Sequence, residues 1–564
     1  MESRRRGPHR RLPATAAALV LLALLAHRPA AAPAPQATPT DQQLASDGER
    51  LYMKGLASTG APLEAIVQGD LRVSGTTLPC VNCHKRSGWG TSEGPVTVPA
   101  VLGRVLFAPR TVGAPQIGAR TTGAGTRPAY SDEALLRALR EGLDPAGRTL
   151  SPTMPRYAVS ETDNAALAAY LRALGAPPPG VTESTIHLAT VITPGVSAAT
   201  RASVMDVLRR YVRTLTAETR QEAGRRDRGS WDMKQHYESY REWVLHEWAL
   251  QGDASTWGAQ LDELYARQPV FALISGVGAG DWSPVHEFSV RNRIPAVLPQ
   301  TPLAPSGRDR DSFYALYFSA GVTTEARALA NHLDEAAAGA GVLQVSRCGG
   351  AGEAAAGTLA GQVKSRARVR TQCVPRPAGM QAVEWDALVR GKVGALVLWL
   401  DSSDIPALET LVASGVLSGV ADVYLSASLL GQNAASVPAR VAERASLVTT
   451  AVPPDEFERH AWRSLAWIKA AGLSPADRPA AVNAFFAATL VSDVLRMPRV
   501  IDSREYFIER IEHMAGRTPI PSAYQSVSFD PVRRIASPGS FIVKMPATPG
   551  GPFRKVQPWF VPKS

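Results

Sequence analysis

Short apolar runs alternate with helical patterns between residues 185 and 540. The runs are rich in Val, Ile and Leu, which is typical of strands buried on both faces of a parallel sheet. The predicted strands are His187–Ile192, Pro269–Ile274, Ile294–Leu298, Gly341–Val345 and Ala395–Leu400, and the clearest helices are Ala199–Thr214, Thr323–Ala338 and Ile405–Ser414. This length of alternating pattern suits two α/β lobes better than one.

A different, helical pattern precedes Pro177. Ser131 is placed to cap a helix that Gly142 closes, and Ser160 with Asp163 resembles a capping box. The second helix carries apolar residues at helical spacing, namely Leu167, Tyr170, Leu171 and Leu174. These patterns predict a small, compact helical domain ahead of the α/β region.

The chain of 564 residues is therefore expected to have several parts. The predicted boundaries are 1–32 for a signal peptide, 33–45 for a linker, 46–176 for the helical domain, 177–186 for a Pro-rich linker, 187–540 for the two lobes and 541–564 for a Pro-rich tail. The signal peptide is indicated by a run of arginines before the apolar residues Ala14–Ala26 and by the small residues Ala30–Ala32. An uncleaved anchor is the alternative, but this apolar run is short for a membrane span.

Charge and composition exclude several classes of protein. Hydrophobic residues make up 45% and charged residues 20% of the chain, as in ordinary globular proteins. The formal charge is +11, and removing residues 1–32, with six arginines and one glutamate, leaves 11 − (6 − 1) = +6. The sequence has no concentrated stripe of basic residues, so it gives no indication of nucleic-acid binding. We therefore expect an exported protein of the periplasm, with no transmembrane segment after signal cleavage.

The strongest chemical motif is Cys80-x-x-Cys83-His84, the spacing of a c-type haem attachment site. Two thiols at this spacing add to the haem vinyl groups, and the adjacent imidazole reaches the iron. A redox dithiol and half of a zinc site are the alternatives. For the sixth iron ligand the candidates are Met154, in a proline-bounded loop, and Met53, in a predicted helix where packing is the commoner role. We predict one covalent haem c with His84 and Met154 as axial ligands.

These residues resemble a class I cytochrome c. The resemblance covers residues 42–176 and rests on Gly48-x-x-Leu51-Tyr52, the haem string, Gly142-Leu143-Asp144-Pro145-x-Gly147, Met154-Pro155-x-Tyr157 and the last helix. It implies a small all-α fold around one low-spin haem that transfers single electrons. It also implies a proline that orients the proximal histidine, for which Pro99 is the match. A long segment, Ala61–Leu78, departs from the family pattern.

The α/β region resembles type I periplasmic binding proteins of the leucine-binding-protein-like class. The resemblance rests on Thr193-Pro194-Gly195, on Val270–Gly280 with Val285–Phe288, on Ile294–Thr301 and on Tyr317–Gly321. It implies two lobes that close on a small solute about a hinge. Ligands of such sheets lie beyond the carboxyl ends of the strands. The solute-binding candidates are therefore Ser275, Trp282, Thr301, Ser319, Trp399, Asp401 and Ser426, and for each the alternative is an ordinary turn or core residue.

Cys348 and Cys373 end consecutive predicted strands. In an oxidising compartment they are expected to form a disulfide, with two buried free thiols as the alternative.

Three functions remain open for the whole chain. The first is an electron-transfer cytochrome whose second half docks a redox partner, such as a periplasmic dehydrogenase or oxidase chain, or binds a small solute. The second is a solute receptor for an ABC permease or a sensor, with the haem as an ancillary group. The third is an oxidoreductase acting on a bound solute, and it is disfavoured because no flavin or quinone motif is evident. We therefore expect an electron carrier or binding protein and no catalytic residues.

Overall fold

The computed structural model describes residues 39–93, 96–112, 125–226, 241–305, 310–336, 341–364, 368–375, 383–389, 393–529, 533–548 and 550–562. The predicted signal peptide, residues 1–32, lies outside them and stays a prediction. The chain forms two compact units: the first comprises the chain up to Cys83 together with Val101–Leu174, and the second comprises His84–Ala100 and Gly175–Ser564. No helix among the described residues combines the length and apolar character that a membrane span requires.

The chain up to residue 174 contains five helices and seven short strands in its described part. In chain order they are α1 (Pro39–Lys54), β1 (Glu64–Val67), β2 (Leu71–Ser74), α2 (Val81–His84), β3 (Thr91–Glu93), β4 (Val96–Val98), α3 (Gly103–Leu106), β5 (Arg110–Val112), β6 (Gly125–Arg127), α4 (Asp132–Glu141), β7 (Arg156–Tyr157) and α5 (Glu161–Ala173). The predicted caps are confirmed. Ser131 accepts a hydrogen bond from Ala134 N at the start of α4, Gly142 closes it in the left-handed conformation, and Ser160 caps α5.

Helices α1 and α5 form the centre of the first unit. Leu51 and Tyr52 of α1 are buried with Leu167 and Leu171 of α5 in one apolar cluster. The helices approach so closely that a Cβ at Gly48 would lie 2.0 Å from the carbonyl oxygen of Ala166. Only glycine fits this crossing, which explains its place in the Gly48-x-x-Leu51-Tyr52 motif.

The expectation of an all-α domain is wrong in one respect. The segment Ala61–Leu78, which departs from the family pattern, forms a hairpin of β1 and β2. Strand β1 also pairs antiparallel with β7. Three residues, 68–70, join the two strands, and Gln68 and Gly69 both have positive φ in this turn. The insertion therefore adds a three-stranded sheet to the helical unit.

The remaining elements build two α/β sheets in the second unit. They are β8 (Thr185–Ile192), α6 (Ala198–Arg226), β9 (Glu242–Ala249), α7 (Trp257–Arg267), β10 (Ala272–Ile274), α8 (Ser283–Arg291), β11 (Ala296–Val297), β12 (Ala315–Leu316), α9 (Val322–Ala336), β13 (Gly341–Arg347), α10 (Ala351–Gln362), β14 (Val369–Val374), α11 (Trp385–Leu388), β15 (Val393–Trp399), α12 (Ile405–Ala413), β16 (Val420–Ser426), α13 (Ala427–Leu430), α14 (Ala439–Ala442), β17 (Ala445–Thr449), α15 (Pro454–His460), α16 (Trp462–Ala470), α17 (Arg478–Leu495), α18 (Arg504–Met514), β18 (Ser540–Lys544) and β19 (Arg554–Phe560).

The first sheet is wholly parallel, with strand order β12-β11-β10-β8-β9. Apolar clusters cover both of its faces. One contains residues of α6, α17 and α18, and the other contains residues of α7 and α8. We call this sheet with its helices lobe 1.

The second sheet has the order β14-β13-β15-β16-β17-β18-β19 and forms lobe 2. Strands β13 to β17 are parallel, whereas β18 and β19 are antiparallel. The expectation of a separate Pro-rich tail is thus wrong, because Arg554–Phe560 is the edge strand of this sheet. Pro558 is tolerated there because an edge strand has a backbone side without partners.

The chain crosses between the lobes three times, and we call these crossings the hinge. Residues 317–321 lead from β12 into α9, residues 450–453 lead from β17 into α15, and the chain returns through residues 533–539 to β18. The first crossing bonds to the third, because Tyr317 N donates to Arg534 O over 2.9 Å. The second crossing bonds to lobe 1, because Val452 N donates to Ala523 O over 2.9 Å. The predicted two-lobed α/β architecture is confirmed.

Candidate functional site

The thiols of the haem-attachment string lie at the start of helix α2. Cys80 is half-buried against the apolar cluster of the first unit, and Cys83 is exposed. Burial raises the pKa of Cys80 to about 12. A redox dithiol needs a stabilised thiolate, so this environment disfavours the dithiol alternative. No group of three or more metal-ligating side chains occurs in the described part of the chain, and the zinc alternative gains no support.

The imidazole of His84 is oriented by the chain that follows it. Its Nδ1 lies 3.0 Å from the carbonyl oxygen of Pro99. With Nδ1–H donating to that oxygen, Nε2 is the nitrogen that remains to bind a metal ion. Burial lowers the pKa of His84 below its usual range, which favours the neutral, ligating form. The predicted role of Pro99 beside a haem ligand stays a prediction.

Met154 lies in a loop fixed by the neighbouring arginine. Arg156 Nη1 donates to the Met154 carbonyl over 2.6 Å, and its Nη2 donates to Leu150 O over 3.2 Å. The Met154 side chain packs against the same apolar cluster of the first unit as Cys80. Met53 also packs there, so burial alone does not distinguish the two thioethers.

The solute candidates of lobe 1 follow strands β10 and β11 and the first hinge crossing. Ser275 is buried with its hydroxyl accepting from Gln300 Nε2 over 3.3 Å. Thr301 is half-buried, and its hydroxyl donates to Leu303 O over 3.1 Å. Ser319 is buried and accepts from Gly321 N over 3.0 Å. Trp282 is a core residue that covers the glycine-rich turn at Gly276.

The candidates of lobe 2 lie at the carboxyl ends of two strands: Trp399 ends β15, Asp401 follows it, and Ser426 ends β16. Trp399 is buried and donates from Nε1 to Gln344 Oε1 over 3.0 Å. Asp401 is half-buried and accepts from Ser403 N over 2.9 Å. Ser426 is buried and donates to the carboxylate of Glu325. In both lobes, therefore, the candidates lie at the predicted carboxyl edges, but internal hydrogen bonds or packing engage most of their side chains.

Sequence reasoning missed a buried carboxylate at the hinge. Glu325, fully buried in the first turn of α9, accepts from Ser426 Oγ, from Ser428 N over 3.0 Å and from Ser428 Oγ over 2.7 Å. The Thr450 backbone also bonds to it, and Tyr524 interacts with it electrostatically. Burial raises the pKa of Glu325 to about 7, and the hydrogen bonds oppose that rise. Glu325 is one of three acids in this helix, and the sequence carries no signal that it, unlike Asp334 and Glu335, is buried.

A second missed feature is a hydrogen bond between the lobes. Asp477 caps α17 in lobe 1 by accepting from Ala480 N over 3.0 Å, and its other oxygen accepts from Thr200 over 2.8 Å. Gln432, which follows β16 in lobe 2, donates to the same carboxylate over 2.9 Å. Asp477 thus joins the two lobes.

Two surface pockets, of about 490 Å³ and 530 Å³, are found among the described residues. The first is lined by Trp462 and Arg478 among others, and the second by Trp385 and Asp386. Neither contains a nominated solute residue, so the solute candidates stay predictions.

The predicted disulfide is confirmed. Cys348 and Cys373 are bonded, with their Cα atoms 5.0 Å apart, and they tie the end of β13 to the edge strand β14.

No protein-family model and no curated protein matches the chain. The chain is similar to several solved structures. A fatty acid ABC transporter substrate-binding protein from Thermomonospora curvata is 18% identical, with 68% of this chain and 94% of that chain covered and a TM-score of 0.49. A branched-chain amino acid ABC transporter from Thermus thermophilus with bound valine is 13% identical, with 68% and 97% covered and a TM-score of 0.49. A periplasmic binding protein type 1 from Bordetella pertussis Tohama I is 14% identical, with 66% and 100% covered and a TM-score of 0.48. With no sequence family matched, the case for a function rests on the residues and the architecture of this chain.

Proposed function

We propose that the chain is an exported solute receptor with an attached haem c domain, able to pass single electrons. The second unit binds a small solute between its lobes and presents it to a partner such as an ABC permease. The observation that carries the receptor function is the pair of α/β sheets joined by three hinge crossings. Two sheets joined this way can close on a ligand at the carboxyl ends of their strands.

The chemistry of the donor set supports the haem. Cys80 and Cys83 are free thiols at the attachment spacing, His84 has its Nδ1 occupied by Pro99 O, and Met154 supplies a thioether from a fixed loop. Cys80 and Cys83 would hold the group covalently, with His84 and Met154 on the iron. Bound haem would supply a reversible one-electron couple, and the Met154 thioether would raise its potential and disfavour oxygen chemistry.

The chain's own residues perform three tasks at this site. The Pro99 carbonyl fixes the tautomer of His84, Arg156 holds the loop of Met154, and the apolar cluster beneath Cys80 excludes water. Tyr157 contributes by donating to Leu78 O over 2.6 Å, which ties the β7 strand to the turn before the thiols. Solvent exclusion and fixed ligands favour rapid electron transfer, because little rearrangement accompanies the change of charge.

The test is a redox titration of the exported full-length chain, with the visible spectrum recorded with and without leucine, valine and other small solutes. We expect covalent haem, one low-spin couple, and binding of at least one solute by calorimetry. Absence of covalent haem despite intact Cys80 and Cys83 would rule out the cytochrome part. Failure of every solute to bind would contradict the receptor part.

An electron carrier whose second unit docks a redox protein is the second candidate. The observation that favours it is the internal bonding of the solute candidates, which leaves few side chains evident for a ligand. Binding of a redox enzyme without binding of any solute in the same titration would select this function.

A further inference from the structure

The segment that follows the haem-attachment string, His84–Ala100, belongs to the second unit. We call it the proximal segment, because it begins with the predicted proximal ligand His84 and ends next to Pro99, which orients that ligand. The chain enters it directly after Cys83 and leaves it at Val101. The contacts of this segment therefore help to fix the position of His84.

Ser87 forms a two-point clamp with Glu509 of helix α18. Ser87 N donates to one carboxylate oxygen over 3.1 Å, and Ser87 Oγ donates to the other over 2.7 Å. Ser87 is fully buried, and its hydroxyl also accepts from Trp89 N over 3.2 Å. Both oxygens of one carboxylate are thus used to fix the backbone three residues after His84.

Three contacts with aromatic rings involve the residues next to the clamp. The rings of Trp89 and Tyr506 are 5.6 Å apart, and the Arg499 guanidinium lies 5.1 Å from the Trp89 ring. On the other side, Arg86 lies 4.6 Å from the centre of the Phe313 ring. Stacking and cation–π contacts of this kind stabilise a fixed geometry.

The groups that receive the proximal segment are themselves parts of lobe 1 and the hinge. Helix α18 buries Phe507, Ile508 and Ile511 in the core of lobe 1. The Phe313 ring also contacts Arg534, whose carbonyl oxygen accepts the hydrogen bond from Tyr317 at the hinge. The proximal segment is therefore anchored to lobe 1, and one of its contacts, Phe313, touches a residue of the hinge.

We propose that Glu509 is a positioning residue for the proximal haem ligand: by clamping Ser87 to helix α18, it fixes the segment that holds His84, and so sets the reduction potential of the haem from within the solute-binding lobe. This inference rests on the proposed haem. A bound metal responds strongly to groups that orient its ligands, even where those groups do not touch it.

The test compares Glu509→Ala with Glu509→Gln in the full-length protein. The glutamine keeps both contacts, because its oxygen accepts from Ser87 N and its amide donates to the Ser87 hydroxyl. We expect Glu509→Ala to change the ratio of oxidised to reduced haem at a fixed potential at least tenfold, which is about 59 mV for one electron. Glu509→Gln should restore most of that shift, and amide exchange at Ser87 and Trp89 should be faster in the alanine variant only.

Glu263→Gln is the matched control, because it removes an exposed carboxylate of lobe 1 that pairs with Arg267. An unshifted midpoint in Glu509→Ala, with covalent haem present, would overturn the positioning role and leave the proposed haem intact. Loss of stability in Glu509→Ala without a midpoint shift would also overturn it. Absence of haem in the wild-type protein would overturn both proposals.

Discussion

At the scale of single residues, burial and hydrogen bonds set the protonation and the available atoms of several side chains. His84 owes its available Nε2 to the carbonyl of Pro99, and Cys80 owes its raised pKa to burial. Glu325 shows the same dependence at the hinge, where an acid is removed from water and surrounded by donors. Local surroundings of this kind lead to predictions for two residues, Met154 and Glu325.

Replacing Met154 with alanine tests its role as iron ligand. Without the thioether the sixth position loses its predicted ligand, so we expect the visible spectrum to change from low-spin to high-spin and the midpoint potential to fall. Met53→Ala is the control, because Met53 packs against the same apolar cluster. The assignment would be wrong if the Met53 variant, and not the Met154 variant, lost the low-spin spectrum.

Glu325 should make stability depend on pH. Its pKa is about 7 in the folded protein against a usual value of 4.5, so its favourable contribution is complete below pH 4.5 and is lost as the pH rises through 7. Relative to Glu325→Gln, the wild-type free energy of unfolding should fall by up to about 3 kcal/mol across this range.

Urea unfolding of both proteins at pH 4.5, 6 and 7.5 measures this difference, with Glu263→Gln as an exposed control. Parallel pH curves for wild type and Glu325→Gln would show that the hydrogen bonds from Ser426 and Ser428 hold the pKa near its ordinary value.

At the scale of elements, single side chains and one covalent bond tie strands and helices together. Arg504 of α18 is buried and donates to Val270 O over 2.6 Å, Phe271 O over 2.9 Å and Pro179 O over 3.1 Å. It thereby connects the Pro-rich linker, the strand leading into β10 and its own helix. At the far edge of lobe 2, the Cys348–Cys373 disulfide holds β14, which is the edge strand beside β13 in the described sheet.

Arg504→Ala should lower the free energy of unfolding by about 3 kcal/mol or more, because several buried carbonyl oxygens lose a charged donor. Denaturant unfolding gives the value, and Arg517→Ala, an exposed arginine just after the same helix, is the control. A loss below about 1 kcal/mol would mean that water replaces the guanidinium at these carbonyls.

Removal of the disulfide in the double variant Cys348→Ser, Cys373→Ser should cost about 3 kcal/mol, as the chain-entropy relation gives for a sequence separation of 25. The measurement is urea unfolding of the oxidised wild type against the variant. Equal midpoints would show that the pairing of β14 with β13 already restricts this loop in the unfolded chain.

At the scale of the whole molecule, the second unit depends on the balance between its hinge and the carboxylates that link its lobes. Asp477 accepts from Gln432, Asp455 accepts from Phe553 N, and Glu456 pairs with Lys555. Gln432→Ala should shift the population toward a more open arrangement of the lobes, visible as a larger radius of gyration in small-angle scattering. Gln251→Ala is the control, since its hydrogen bonds stay within lobe 1. An unchanged radius in the Gln432 variant would show that this hydrogen bond does not set the separation of the lobes.

The sequence by itself determined the local features of this protein. Apolar runs and helical spacing predicted the parallel strands and two lobes, and capping residues predicted the ends of α4 and α5. The haem that the attachment string indicates stays a prediction. These signals are short in range, because propensity, capping and motif spacing act within a few residues of the chain.

Only the tertiary structure decided which distant groups meet. The hairpin at Ala61–Leu78 is stabilised by pairing with β7, the tail becomes a strand because β18 offers it an edge, and Glu325 and Asp477 gain their partners from other elements. The clamp of Ser87 by Glu509 joins residues 422 positions apart. Such contacts depend on the packing of whole elements, and hydrophobic periodicity carries no information about their polar partners.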